Sequence, residues 1–198
     1  KIGRQKKDAA ASIHLTTDAE NVTVPTTVDF AAGEALKEVK IAFDIAVGTT
    51  ASYTIAIPEE DSYVYGSPKV TVNIKRDYTW LNIGTGYYTS QLLFGEGWDQ
   101  PVLKAKEANI YKLEDCITKG YPIMFTLSDD NQELIGWDPQ PTGYDKTDYG
   151  MLYFAAAGME RKGNVLSFPM QGLVILDGGK WGVLYQGFTA TLEMPEGF

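Results

Sequence analysis

The sequence predicts an all-β protein built as two antiparallel β-sandwich-like domains in tandem, residues 1–77 and 78–198. Three observations carry that expectation. Short runs from Ser12 to Ile74 alternate apolar with polar residues, the period of a strand with one buried face. Glycine, proline, asparagine and aspartate punctuate these runs at short intervals, the spacing of a sandwich rather than of helices. After Asp77 the composition shifts to longer segments rich in Gly, Trp, Tyr and Asp, which marks a second module. At 198 residues the chain is long enough for each module to bury its own core.

In order, Ser12-Ile13-His14-Leu15-Thr16 reads as a half-buried strand. Val22-Thr23-Val24-Pro25 reads as another, ended or placed at an edge by Pro25, which lacks a backbone donor. Val28-Asp29-Phe30 leads into a turn at Ala32-Gly33-Glu34. The run Ala35–Lys40 has some helix propensity. Between Gly33 and Gly48, however, Val39, Ile41 and Phe43 inward with Lys40, Ala42 and Asp44 outward fits a strand better. Tyr53, Ile55 and Ile57 share a face that closes at Pro58 and the acids after it. Val70, Val72 and Ile74 give the last clean alternation.

The stretch Tyr78–Tyr88 reads as the seam between modules, with Trp80 and Ile83 as anchors and Gly84 and Gly86 letting the backbone turn sharply. Gln91-Leu92-Leu93-Phe94 leads to the loop Gly95–Asp99. Pro101–Lys106 and Ile110–Leu113 form a hairpin around Glu107-Ala108-Asn109. Ile123, Phe125 and Leu127 make one face, closed by Ser128–Asn131. A polar, aromatic segment from Gly136 to Gly150 precedes the apolar run Met151–Phe154. Lys162-Gly163-Asn164 and Asp177-Gly178-Gly179 are tight-turn signals between apolar runs. Phe188–Met194 alternates cleanly and is expected to close the sheet.

The formal net charge is -9. Residues 1–77 carry 9 basic and 11 acidic side chains, the remainder 8 and 15. That second half repels a phosphate backbone, so nucleic acid is not an expected partner. The cluster Lys1, Arg4, Lys6 and Lys7 reads as a solvated terminus. No apolar run has the length of a bilayer span. The chain starts at Lys1 with no signal-like segment, so a removed targeting segment is expected. Cys116 is the single cysteine, which rules out an intrachain disulfide and leaves the compartment open.

Chemistry has few places to reside. His14 is the lone histidine and sits in an alternating strand, without partners for a triad or a histidine-centred metal site. Cys116 follows Glu114 and Asp115, acids that raise a thiol pKa when close. Gly84-Thr85-Gly86-Tyr87-Tyr88-Thr89 begins like a dinucleotide fingerprint but lacks the third glycine and any βαβ context. Asp129–Glu133 offers alternate oxygens as a calcium loop does, but Leu134 stands where the glycine belongs. Cofactor and metal are therefore both expected to be absent. Asp138, Asp145 and Asp148 lie near Trp137, Tyr144 and Tyr149, so acids and rings share one segment, though no spacing requires a glycosidase. Loop rings beside acids can stack on sugars and accept hydroxyl hydrogen bonds. The candidate ligand-binding residues are Trp98, Asp99, Trp137, Asp138, Tyr144 and Asp145.

Val28–Glu34, Lys37–Ile41 and Tyr53–Ile57 together resemble the later strands of Calx-β-type and related immunoglobulin-like sandwiches. Such modules recur near the amino end of surface lipoproteins of Bacteroidetes. The likeness covers residues 1–77. Calcium-binding members cluster acids at one end of the sandwich, a cluster with no residue-by-residue match here, so the resemblance implies no metal site. Trp80, Gly84–Tyr88 and Ile110–Asp115 are similar to carboxy-terminal modules of the same class. The resemblance implies an extracellular or outer-membrane location, held by a lipid anchor outside this chain. The resulting expectation is a non-catalytic cell-surface protein that binds a glycan or a surface protein through loops of its second domain. The alternative is a structural spacer or adhesin-like subunit, identifiable by buried loop tryptophans and an exposed edge strand or apolar patch. A glycoside hydrolase comes third.

Overall fold

A computed structural model describes residues 1–61, 67–93 and 95–198; Phe94, assigned above to a strand end, lies outside the described residues. Among the described residues, apart from a short 3-10 turn, every regular element is a β-strand and every strand pairing is antiparallel. The chain divides into two compact units, Lys1–Asp77 and Tyr78–Phe198.

The first unit contains β1 (Ile2–Gly3), β2 (Ala11–His14), β3 (Thr16–Thr17), β4 (Val22–Thr23), β5 (Thr27–Phe30), β6 (Leu36–Lys37), β7 (Ala42–Phe43), β8 (Thr49–Ala56) and β9 (Lys69–Arg76). Strand β8 pairs with β3 and β9, while β1–β6, β2–β5 and β4–β7 form two-stranded ribbons. Leu15, Val22, Val28, Phe30, Tyr53 and Ile55 make the core, from the alternating positions the sequence marks. Phe43 departs from expectation. It is 48% exposed, and Ile45 is buried instead. The ladder at β7 spans two residues only, so the chain leaves the ribbon at once and turns Ile45 inward.

The second unit contains β10 (Trp80–Ser90), β11 (Trp98–Ala105), β12 (Ile110–Leu113), β13 (Ile123–Leu127), β14 (Leu134–Gly136), β15 (Gln140–Pro141), β16 (Tyr153–Ala156), β17 (Glu160–Lys162), β18 (Val165–Leu176) and β19 (Lys180–Glu193). All belong to one sheet, ordered β14-β13-β12-β11-β10-β19-β18-β16-β15, with β17 also on β18. Strands β14 and β15 stand at opposite ends of that order, yet residues 137–139 alone separate them. The sheet must therefore curl until its ends meet. A side chain fastens the seam: the Gln140 amide donates to the Met124 carbonyl at 2.6 Å, and its oxygen accepts the Met124 N–H at 2.7 Å. The amide does what a neighbouring strand would do.

Inward residues fill the curled sheet: Tyr88, Val102, Tyr111, Leu113, Ile123, Phe125, Leu152, Phe154, Leu166, Phe168, Ala190 and Leu192. Two sequence expectations need correction here. Gly84 and Gly86 lie inside β10 and do not turn the chain. Gly84, at φ 129°, sits at a bulge. At Gly86 a Cβ would stand 2.4 Å from the Glu193 carbonyl oxygen, so only glycine permits the close approach. The run Phe188–Met194 does not close the sheet from its edge either. Strand β19 is central, between β10 and β18, and the seam lies at β14 and β15.

Candidate functional site

The seam brings together one pair of the candidate residues. Trp137 and Asp138 occupy the three-residue crossing between β14 and β15, beside a recess of about 270 Å3 that Tyr78, Met124 and Gln140 also line. Trp137 is not available as a stacking platform. It is 6% exposed, its ring lies nearly parallel to Phe125 (5.7 Å, 15°) and crosses Phe168 at 5.0 Å. So short a crossing points the ring inward, as a core residue rather than a loop ring. Its indole N–H is buried with no acceptor, a cost that the stacking contacts outweigh. Asp138 is exposed on the outside.

Trp98 needs a similar correction. It opens strand β11 instead of lying in a loop. Its half-buried ring leans on Tyr88 at 5.2 Å, and its N–H donates to Gln100 Oε1 at 3.3 Å. Asp99 is exposed, opposite Tyr87 on β10. Tyr144 and Asp145 are exposed as well, in the connection that joins β15 to β16. Thr142 anchors that connection by donating its hydroxyl to the Leu152 carbonyl at 2.9 Å. The six candidates thus divide among three places and form no common site.

Among the described residues, no nucleophile or metal centre takes their place. Cys116 is buried, and burial pushes its thiol pKa far upward. Burial also raises the neighbouring Tyr88 hydroxyl, with the cysteine adding to the effect. His14 is in the first unit, its Nδ1 2.7 Å from Asp61 Oδ2. Among the described residues no three metal-ligating side chains converge. Asp129–Gln132 forms a turn in which the Asp130 carboxylate accepts the Ser128 hydroxyl and the Gln132 N–H; those bonds hold its pKa below the ordinary value.

The residues that sequence reasoning missed lie on the hairpin β18–β19. These strands outrun their neighbours. Pairing of β10 with β19 ends at Ser90 opposite Ala190, and β16 reaches β18 no further than Leu173. Beyond that point Trp181 is 50% exposed and Val183 55%; Ile175, Leu176 and Tyr185 are exposed too. Ile175 stands directly opposite Trp181, and Tyr153 meets the Trp181 ring edge-on at 5.0 Å. Strand β16 runs antiparallel to β18, so the 142–152 connection leaves it at this same end. Tyr144 and Tyr149 are exposed in that connection. Two tight-turn glycines, Gly178 and Gly179, with φ of 77° and 75°, hold the tip. A sequence signal for this surface exists: apolar residues crowd both sides of Asp177-Gly178-Gly179, as the run Leu173-Val174-Ile175-Leu176 before it and as Trp181, Val183, Leu184 and Tyr185 after it.

No protein-family model matches this chain, and no curated protein matches it either. Among solved structures, the crystal structure of a multidomain protein including DUF1735 from Bacteroides ovatus is similar over 95% of this chain and 80% of that one. The two share 11% identity at a TM-score of 0.34, a likeness too slight to carry an argument about fold or function.

Proposed function

We propose that this chain is a non-catalytic cell-surface protein that binds a protein ligand through the apolar end of the β18–β19 hairpin. One observation carries the reading. Trp181, Ile175 and Val183 are exposed together, while Trp98 and Trp137 pack against the core. Mixed aliphatic and aromatic surface of this kind suits a protein better than a sugar, whose faces stack on rings alone. The surface location follows from the family resemblance in the sequence and belongs to the proposal.

The test is surface plasmon resonance of the wild type and Trp181→Ala against immobilised extracellular proteins and polysaccharides. A protein bound by the wild type and weakened at least tenfold by the substitution is the expected result. Binding to polysaccharides alone would return the reading to a glycan ligand. Equal binding by both proteins would remove the hairpin from it. A second reading, a structural or adhesin-like subunit, has the marks set for it above: Trp137 is buried, Trp98 is half-buried, and the same hairpin exposes an apolar strand edge through which such subunits join.

A further inference from the structure

We infer that the open edge of β19, from Lys180 to Tyr185, receives an extended, net-basic segment of the protein partner by strand addition; this rests on the protein-binding reading above. The edge is defined by where pairing stops. Gln91 ends the β10 side: its N–H donates to the Thr189 carbonyl at 3.1 Å, and its side-chain oxygen accepts the Thr189 N–H at 2.8 Å. From Phe188 back to Lys180, strand β19 is laddered to β18 and to no other strand among the described residues. Backbone donors and acceptors along such an edge alternate at strand spacing, and another extended backbone matches them.

Natural edges are blunted by charge, proline or bulges. Lys180 is the one charge on the proposed edge; from Trp181 to Phe188 there is no carboxylate, ammonium or guanidinium group and no proline. Bulges do occur, where Leu184 and Gly187 drop out of register. They twist the inner part of the edge and leave Lys180–Val183 as its regular run. Exposed Trp181 and Val183 alternate along that run, offering two side-chain footholds beside the backbone.

Charge selects the occupant. By the strand order, exposed Glu96 in the connection after β10 and Asp177 in the hairpin tip fall on the β19 side, against Lys180, while exposed Asp145 and Asp148, with Lys146, stand across β18 at the same end of the sheet. A segment carrying lysine or arginine at its solvent-facing positions complements that balance. A second copy of this chain does not, since the second unit carries 15 acidic and 8 basic side chains and repels its own kind.

The test uses the full chain and three synthetic octapeptides. One alternates valine or threonine with lysine, the second replaces lysine by glutamate, and the third is the lysine peptide with alternate backbone nitrogens methylated. Amide shifts and hydrogen exchange are read by NMR. The expected result is saturable binding of the lysine peptide with at least tenfold slower exchange at amides within 180–185. The glutamate and N-methylated peptides should bind at least tenfold more weakly. Equal binding of the N-methylated peptide would overturn strand addition while leaving a side-chain docking surface, and hence the protein-binding reading, intact. Edge amides already protected in a sedimenting dimer would overturn it in favour of a second copy. Absence of any peptide effect would overturn it as well, whatever Trp181→Ala does to protein binding.

Discussion

The same substitution at two tryptophans should give opposite results, because one ring belongs to the core and the other does not. Trp137 is 6% exposed, stacked on Phe125 and edge-on to Phe168, which also touches Phe125. Truncating a buried Trp to Ala costs about 3–5 kcal/mol. Its indole N–H has no acceptor, and removing such a donor returns about 1 kcal/mol. The net expectation for Trp137→Ala is a loss of about 2–4 kcal/mol. With a urea m-value of about 1–3 kcal/mol/M for a unit of this size, the midpoint falls by about 0.7–4 M. Trp181 is half exposed, and among the described residues its ring contact is Tyr153. Trp181→Ala should therefore cost about 0.5–1 kcal/mol. Urea unfolding of the second unit, followed by far-ultraviolet circular dichroism, measures both. A Trp137→Ala midpoint within about 0.3 M of the wild type, or a larger drop for Trp181→Ala, would refute the assignment of inside and outside.

Three further outcomes follow from named contacts. Gln140→Ala removes both hydrogen bonds to Met124 and should cost about 1–2 kcal/mol; hydrogen exchange at the Met124 amide should accelerate while that of Tyr111 stays slow, and unchanged exchange would show the clip to be idle. Cys116, buried with its thiol pKa pushed upward, should resist a disulfide-exchange reagent near pH 8 until urea unfolds the unit; labelling at the rate of a free thiol in the native protein contradicts the burial. Asp61 has its pKa lowered below 3.8, chiefly by the His14 backbone N–H and then by the His14 ring. A depressed carboxyl stabilises fully above its unfolded pKa and loses that contribution as pH falls through its folded value. The first unit should thus weaken below about pH 4, and less steeply in Asp61→Asn; parallel acid titrations of the two proteins would count against the tether.

Much of the architecture was legible because its signals are local. Lys162-Gly163-Asn164 and Asp177-Gly178-Gly179 name their hairpins outright, and Ile123, Phe125 and Leu127 alternate as the core demands. The seam was not legible, since it depends on two strands at opposite ends of a sheet order, which no local window contains. Trp137 was misplaced for the same reason. Its neighbours Gly136, Asp138 and Pro139 have loop composition, but a three-residue crossing between converging sheet ends has one place for a large ring, inside. Phe43 shows the converse failure: its alternation is right and its ladder too short to enforce it.

The misplacement of Trp137 has a cause that bears on function. Curling one sheet until its ends meet encloses a volume that aromatic side chains fill, so rings that read as loop decoration are drawn into the core. What remains for recognition is whatever that closed packing cannot reach. Strands β18 and β19, at 12 and 14 residues, extend past the 11-residue β10 and the four-residue β16. Exposing Trp181 and Val183 there has an opposing cost, because an apolar strand edge invites association. A monomer with no use for that edge gains nothing by keeping it apolar, whereas one that binds through it does. Lysine substituted for both Trp181 and Val183 therefore separates the cases. If the double variant is more soluble at equal stability and binds no protein that the wild type binds, the edge is a recognition surface. If solubility and binding are both unchanged, the hairpin serves only to extend the fold.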